Sequence, residues 1–395
     1  MAEAYIAGAV RTAGGRKGGK LAGWHPADLA AHVLDALIER SGADPAAVED
    51  VILGCVVQIG QQAMNVARNA VLASKLPESV PGTTVDRQCG SSQQALHFAA
   101  QAVMSGTMDV VIAGGVESMT RVPISASTAF PAQHGYGVYK SPHMDERYPG
   151  VEFSQFDGAE MIARKYELSR DELDAYSFDS HRKAIAATED GLFSAEIVPL
   201  EVTLADGSNA VHAIDEGIRF DASLEAIRSV KLLREGGRVT AASSSQICDG
   251  ASACLIANER GLKALAIEPL ARIVHLSVLG HDPVIMLEAP IPATQRALAK
   301  AGMTIDQIDL YEVNEAFAPV PLAWLRETGA DPVKLNVHGG AIALGHPLGA
   351  SGTKLMTTLL HALARRNGRY GLQTMCEGGG LANVTIVERL SANAA

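Results

Sequence analysis

Three short blocks of this 395-residue chain hold side chains that can do chemistry. In Val85-Asp-Arg-Gln-Cys89-Gly-Ser-Ser-Gln-Gln-Ala-Leu96, a thiol stands where an apolar strand (Val80 to Val85) gives way to small residues and then to a helix of apolar period. A thiol at a helix N-terminus meets unpaired backbone N–H groups and the positive end of the helix dipole. Both favour the thiolate, which is the nucleophile; a cysteine buried for packing is the alternative. The second block, Asn336 to Gly352, carries glycines at 339, 340, 345, 349 and 352, with His346 fixed between Gly345 and Pro347. A histidine so placed is suited to accept a proton rather than to pack. The third, Cys376-Glu-Gly-Gly-Gly380, sets another thiol at a strand end beside donor-rich backbone.

The elements that must position these blocks are written twice. Ser41 to Leu53 is echoed by Ala301 to Val313: a helix stops at glycine, Asp44 or Thr304 caps a short helix, and a strand follows. The same offset of 260 residues carries Cys89-Gly-Ser-Ser onto Gly349-Ala-Ser-Gly. Each turn launches a helix, with Ala95, Phe98, Ala99, Ala102 and Val103 in one and Leu355, Leu359, Leu360 and Leu363 in the other. Two similar lobes are expected, built of mixed, largely parallel sheets covered by helices. Residues 119–249 break the pattern and are expected to insert as a cover, helical after Asp157, with a capping box at Ser169-Arg-Asp-Glu172. Ala251 to Ala257 then returns as a strand of the first lobe. The expected division is 1–118 plus 250–268, 119–249, and 269–395. Ligands favour the carboxyl ends of strands in such folds, so the two cysteines and His346 are expected to converge.

Composition limits the partners. A net charge of −11 with no long basic run argues against nucleic acid or an anionic membrane surface. The five cysteines form no Cys-x-x-Cys pair, which fits a reducing compartment and excludes a disulfide framework or zinc site. The N-terminal stretch carries Glu3 and lacks a basic region, so it is not expected to be a secretory signal. No apolar run approaches the roughly 20 residues of a spanning helix, and Ser391-Ala-Asn-Ala-Ala395 matches no receptor-read address. A soluble cytoplasmic protein is expected.

Taken in order, the blocks make the chain resemble the thiolases, acyl-CoA:acetyl-CoA C-acyltransferases, over essentially its whole length. The resemblance runs from Ala9-Val-Arg-Thr-Ala-Gly-Gly-Arg-Lys-Gly-Gly19 through Arg87-Gln-Cys89, Gly114-Gly-Val-Glu-Ser-Met119 and Asn314-Glu-Ala-Phe-Ala318. It ends with Gly340-Ala-Ile-Ala-Leu-Gly-His-Pro347 and Cys376-Glu-Gly-Gly-Gly380. It implies a duplicated α/β fold in five layers, α/β/α/β/α, with a large loop insertion. It implies that Cys89 takes the acyl group as a thioester, that His346 deprotonates Cys89, and that Cys376 protonates the departing acetyl-CoA carbanion. Asn314 would hold a water that completes one oxyanion hole with His346, and the N–H groups of Cys89 and Gly378 would form the other. Two developing oxyanions each need preorganised donors, and a covalent thioester divides the transfer into two easier steps.

Coenzyme A is expected on the insertion, with Arg219, Ser245 and Phe317 touching it and Arg228, Lys231, Arg234 and Arg238 either adding positive charge or forming a solvated face. No metal or redox cofactor is implied; coenzyme A and acyl-CoA are substrates. The wording departs from the commonest family form at Asp86, at His338, at Ser243-Ser-Ser-Gln246 and at Ser154 to Glu160. This points to degradative thiolysis of a medium or bulky 3-ketoacyl-CoA. The alternative is an acetoacetyl-CoA-specific biosynthetic acetyl-CoA acetyltransferase. A ketoacyl synthase would lack Cys376, and a non-catalytic lipid-binding relative would have lost a proton-transfer residue. The resemblance also implies a homo-oligomer, dimer or tetramer; the loop from Arg121 to Gly150, with Tyr136, Tyr139 and Tyr148, would either bind a second dimer or cover the substrate entrance.

Overall fold

The computed structural model describes residues 2–204 and 206–390, so Ser391 to Ala395 lie outside the described residues. The first lobe contains β1 (Tyr5–Thr12), β2 (Gly15–Arg16), α1 (Pro26–Ser41), β3 (Asp50–Gly54), α2 (Val66–Ala73), β4 (Gly82–Val85), α3 (Ser91–Ser105) and β5 (Val110–Ser118). The insertion holds α4 (Ala126–Gln133), α5 (Pro142–Arg147), α6 (Gln155–Lys165), α7 (Arg170–Glu189), β6 (Ile197–Val198), β7 (Leu200–Thr203), β8 (Asn209–His212) and α8 (Leu224–Arg228). Then β9 (Cys248–Ala257) and α9 (Glu259–Leu265) close the first lobe. The second lobe has β10 (Ala271–Gly280), α10 (Pro290–Ala301), β11 (Leu310–Val313), α11 (Pro319–Thr328), α12 (Ala341–Leu344), α13 (Ser351–Arg366), β12 (Tyr370–Glu377) and β13 (Leu381–Arg389).

The duplication is structural. Helices α1 and α10 end at Gly42 and Gly302, both left-handed, with φ of 71° and 66°. Asp44 caps the short helix that follows, and Thr304 forms a capping box in the copy. Helices α3 and α13 begin at Ser91 and Ser351, and strands β5 and β12 at Val110 and Tyr370, each pair 260 residues apart. The strand order is β11-β12-β13-β10-β1-β9-β5-β3-β4, and among the described residues the two half-sheets pair where Tyr5 and Ile6 meet Arg272 and Ala271.

Three apolar cores separate the layers. One lies between the first half-sheet and α1 and α2. A second lies between the other half-sheet and α10 and α11, around Trp324 and Tyr311. The third is sandwiched between the two half-sheets, where Ala95, Leu96, Ala99 and Val103 of α3 face Met356, Leu359, Leu360 and Leu363 of α13. This is the expected five-layer α/β/α/β/α arrangement. Strand β5 is buried along its length because helices cover both faces: Val110 and Ile112 point to the outer core, Val111 and Ala113 to the middle one.

Three expectations need correction. The sheets are mixed but not largely parallel: β3 runs parallel to β4 and β5, and β11 to β12, while β9, β10 and β13 pair antiparallel. In the second lobe the cause is local. Gly378-Gly-Gly380 turns β12 directly into β13, with Gly379 and Gly380 at φ of 84° and 74°, so no crossover helix intervenes. Phe98 is not core; it is 41% exposed, while Ala95, Leu96, Ala99 and Val103 take the face of α3 that meets α13. In the insertion, helices α4 and α5 precede Asp157. No helix among the described residues is long and apolar enough to cross a membrane.

Candidate active site

Cys89 sits in the turn between β4 and α3. Ser91 builds that turn: its Oγ accepts from Arg87 N at 2.9 Å and donates to Gln88 O at 2.6 Å. Gln88 is held at φ 49°, a left-handed conformation that costs a non-glycine residue energy and clusters at functional sites. Gly90 follows because the Glu377 carboxyl lies against it; a Cβ there would come within 1.9 Å of Oε1. The second lobe closes over this turn through its own glycine hairpin, where a Cβ on Gly378 would meet Gln88 Oε1 at 2.9 Å.

The Cys89 sulfur lies beside the backbone N–H groups of Cys89 and Gly378, and Cys376 lies close enough for their charges to interact. The two sequence-remote thiols are therefore brought together. Their protonation differs from the expectation drawn from the helix N-terminus. Burial, reinforced by the Glu377 carboxyl, pushes the Cys89 thiol up to about 12, and the neighbouring N–H groups offset only part of this. Burial also pushes the Cys376 thiol well above its ordinary range. The resting site holds two thiols.

His346 is buried. Its Nδ1 lies 2.5 Å from Ser351 Oγ, and that hydroxyl donates to Pro347 O at 2.8 Å. Since the hydroxyl proton is committed, Nδ1–H is the donor and Nε2 keeps its lone pair. Burial, then the Lys354 charge, lowers the imidazole to about 3, so it is neutral at physiological pH. Asn314 follows the last residue of β11, anchored by its N–H to Thr374 O at 3.1 Å, and its Nδ2 lies 3.4 Å from His346 Nε2. Asn314 Oδ1 is buried without a protein partner, which suits a group that holds water.

Cys89 opens into a cavity of about 860 Å³. Its apolar wall comes from the insertion (Ile124, Met144, Phe153) and the second lobe (Met286, Leu348, Leu381), with Ser127, Thr128, Tyr139, Tyr148 and Gln155 adding polar groups. Tyr139 and Tyr148 come from the loop expected either to bind a second dimer or to cover the entrance. Gln155 belongs to the stretch Ser154 to Glu160, where the wording departs from the commonest family form; Ile124, Met144, Phe153, Met286, Leu348 and Leu381 have no common spacing in the sequence.

The three residues expected to touch coenzyme A do not line this cavity. Arg219 is exposed over a separate groove of about 410 Å³, with Arg16, Phe220 and Gln246. Ser245 donates its N–H to Ala316 O at 2.9 Å, and Phe317 is buried edge-on to Phe156. Three of the four basic residues expected to add positive charge are engaged internally: Arg228 pairs with Asp171, Arg234 with Asp157, and Arg238 donates to Ala163 O and Leu168 O.

Sequence reasoning missed Glu117. Buried at the end of β5, it accepts from Val56 N, Val57 N and Gln62 Nε2 of its own lobe and from Gly349 N of the other. It ties the turn before α13 to the first lobe. A glutamate inside the apolar run Val110 to Met119 was the available signal.

Residues 4–260 match the family model of the thiolase N-terminal domain, and residues 267–389 that of the thiolase C-terminal domain. A steroid 3-ketoacyl-CoA thiolase of Mycobacterium tuberculosis is 55% identical over 392 residues, spanning 99% of this chain and 95% of that protein. The crystal structure of the Bacillus anthracis acetyl-CoA acetyltransferase superposes with a TM-score of 0.90 at 36% identity, covering 99% of both chains. That of human mitochondrial 3-ketoacyl-CoA thiolase does so with a TM-score of 0.89 at 35% identity, covering 98% of this chain and 99% of the other.

Proposed function

The chain belongs to the thiolase family, and from that premise we propose that it thiolyses 3-ketoacyl-CoA thioesters of medium or bulky acyl chain through a thioester on Cys89. The observation that carries the acyl preference is the roughly 860 Å³ cavity beside Cys89, walled by Ile124, Met144, Phe153 and Met286. An acetyl group would leave most of it unfilled. The steroid 3-ketoacyl-CoA thiolase with 55% identity supports a bulky, ring-bearing acyl group.

In the first half-reaction, His346 Nε2 takes the Cys89 proton and the sulfur attacks the 3-keto carbon. The C2–C3 bond breaks, and Cys376 gives its proton to C2 of the departing acetyl-CoA. In the second, incoming coenzyme A returns a proton to Cys376 and its sulfur attacks the thioester. The imidazolium protonates Cys89 as the acyl-CoA leaves. With the thiol at about 12 and the imidazole at about 3, both groups of the proposed pair rest neutral. The thiolate forms only as substrate charge develops against the donors of Cys89, Gly378 and Asn314. Coenzyme A and acyl-CoA serve as substrates, and the chemistry calls for no permanently bound cofactor.

Arg219 lines a groove other than the thiol cavity. We assign it, with Ser245 and Phe317, to the coenzyme A moiety, the Arg219 groove taking its polar end. The division into lobes 1–118 plus 250–268 and 269–395, with the cover 119–249, is part of the same reading. So are a homo-oligomeric assembly and a cytoplasmic location; five free cysteines support the latter.

Mass analysis of peptides after exposure to acetyl-CoA tests the chemistry. Acetylation confined to Cys89 is expected, and an adduct that survives Cys89→Ala would overturn it. Comparing kcat/KM for acetoacetyl-CoA with that for longer or ring-bearing 3-ketoacyl-CoAs tests the size preference; an optimum at acetoacetyl-CoA would leave the biosynthetic alternative.

A further inference from the structure

Lys354 has almost no access to water, 5% exposed, on the helix that also carries Ser351; burial lowers its ammonium below the ordinary lysine range, and the Asp215 charge opposes that shift. Residues three apart share a helix face, and both side chains turn toward the segment that ends in His346. Lys354 Nζ donates to Leu344 O at 2.8 Å and to Gly345 O at 2.9 Å, the two carbonyls immediately before the histidine. Ser351 takes the imidazole Nδ1–H. Asn314, Gly345, Ser351 and Lys354 face one small internal space of about 10 Å³.

The charges around Lys354 come from four elements. Arg11 of β1 pairs with Asp215 Oδ1 and Oδ2 at 2.9 and 3.0 Å and with Glu196 Oε1 at 2.6 Å. Asp215 also accepts from Gly14 N at 2.6 Å, and Glu196 from Thr358 Oγ1 at 3.0 Å. Cys248 of β9 and Glu312 of β11 complete the set; burial holds both in their neutral forms. Lys354 forms no direct ion pair within this set: both carboxylates belong to Arg11, and the lysine gives its donors to backbone. A neutral donor could bridge two carbonyls without the desolvation cost of a buried ammonium. The charge itself needs a reason. His346 supplies one, since the Lys354 charge acts on that imidazole in the same direction as burial, the larger cause.

We propose that Lys354 is a positioning residue for the acyl transfer: it fixes the backbone before His346 and sets a positive charge beneath the loop whose imidazole Nε2 receives the Cys89 proton. The inference rests on His346 being the base that deprotonates Cys89. His346→Ala tests that premise separately in the same assay, since retained Cys89 acylation in that variant would remove the premise without involving Lys354.

The experiment is the pH profile of single-turnover acylation of Cys89 by a 3-ketoacyl-CoA, in the full-length enzyme and in Lys354→Gln, Lys354→Met and Lys354→Arg. The two neutral variants are alternatives, so that one folded protein suffices, as checked by circular dichroism and coenzyme A-dependent thermal shift. The expected result is that the acid limb of the rate moves up by one pH unit or more in the neutral variants. The acylation rate at pH 8 falls tenfold or more, with KM for thiolysis changed less than threefold. Lys354→Arg keeps the acid limb of the parent enzyme. A merely structural lysine would lower stability and rate without moving the limb. A folded neutral variant whose limb stays within 0.3 pH units of the parent overturns the proposal, as does an arginine variant that shifts as far as the neutral ones.

Discussion

Gly352→Ala probes the contact that joins the two half-sites. A Cβ at Gly352 would stand 2.1 Å from Gln93 N and 2.8 Å from Gln93 Cα. These are backbone atoms of α3, so no rotamer change relieves the clash. Real Cβ contacts essentially never fall below 3.0 Å, and α3 and α13 would have to separate by about 0.9 Å or more. Overpacking of this kind costs about 1–3 kcal/mol. The larger consequence is geometric. Gln93 lies one helical turn after Cys89, and Gly352 follows Ser351, which orients His346. In the proposed mechanism a displacement near 1 Å between Cys89 and His346 is worth about 100-fold in rate. We therefore expect kcat for thiolysis to fall about 100-fold, KM to change less than threefold, and urea unfolding to report a loss of about 2 kcal/mol. An alanine variant that keeps kcat within twofold of the parent would refute the claim that the α3–α13 contact sets the Cys89–His346 geometry.

Two further outcomes are expected. Glu377 is buried with neither carboxyl oxygen partnered, and burial raises it well above the ordinary carboxyl range. The folded state therefore binds a proton that the unfolded state releases above about pH 4.3, and stability falls with rising pH by about 1.4 kcal/mol per unit until the folded group titrates. Glu377→Gln should remove that slope, so that the variant gains on the parent in urea unfolding from pH 5 to pH 8; parallel curves would contradict the assignment. Ile124→Trp fills part of the cavity beside Cys89. Steady-state assays should show kcat/KM for a bulky 3-ketoacyl-CoA falling tenfold or more while that for acetoacetyl-CoA changes less than threefold, and equal losses on both would place the acyl group elsewhere.

The five layers were legible because their signals are local and repeated. Gly42 and Gly302 stop helices by adopting a left-handed conformation. Asp44 and Thr304 cap the next turn, and the apolar stripes of α3 and α13 name the faces that meet. The blocks around Cys89, His346 and Cys376 were legible because glycine is demanded wherever backbone approaches backbone or a carboxyl, as at Gly90 against Glu377. The direction of β9, β10 and β13 was not legible, since antiparallel and parallel partners impose the same apolar pattern once both faces are buried.

By itself, then, the sequence determined the duplication, the strand-to-helix turn that presents Cys89, and the two thiols, the imidazole and the amide that the proposed chemistry uses. Tertiary structure alone decided their chemical state. Cys89 reads in sequence as a thiol at a helix N-terminus, inclined to ionise; enclosed by the second lobe beside Glu377, it is pushed up to about 12. Desolvation is a property of everything packed around a group, and no local spacing records it. For the same reason only the folded chain shows Lys354 beneath the His346 loop and the wide cavity beside Cys89.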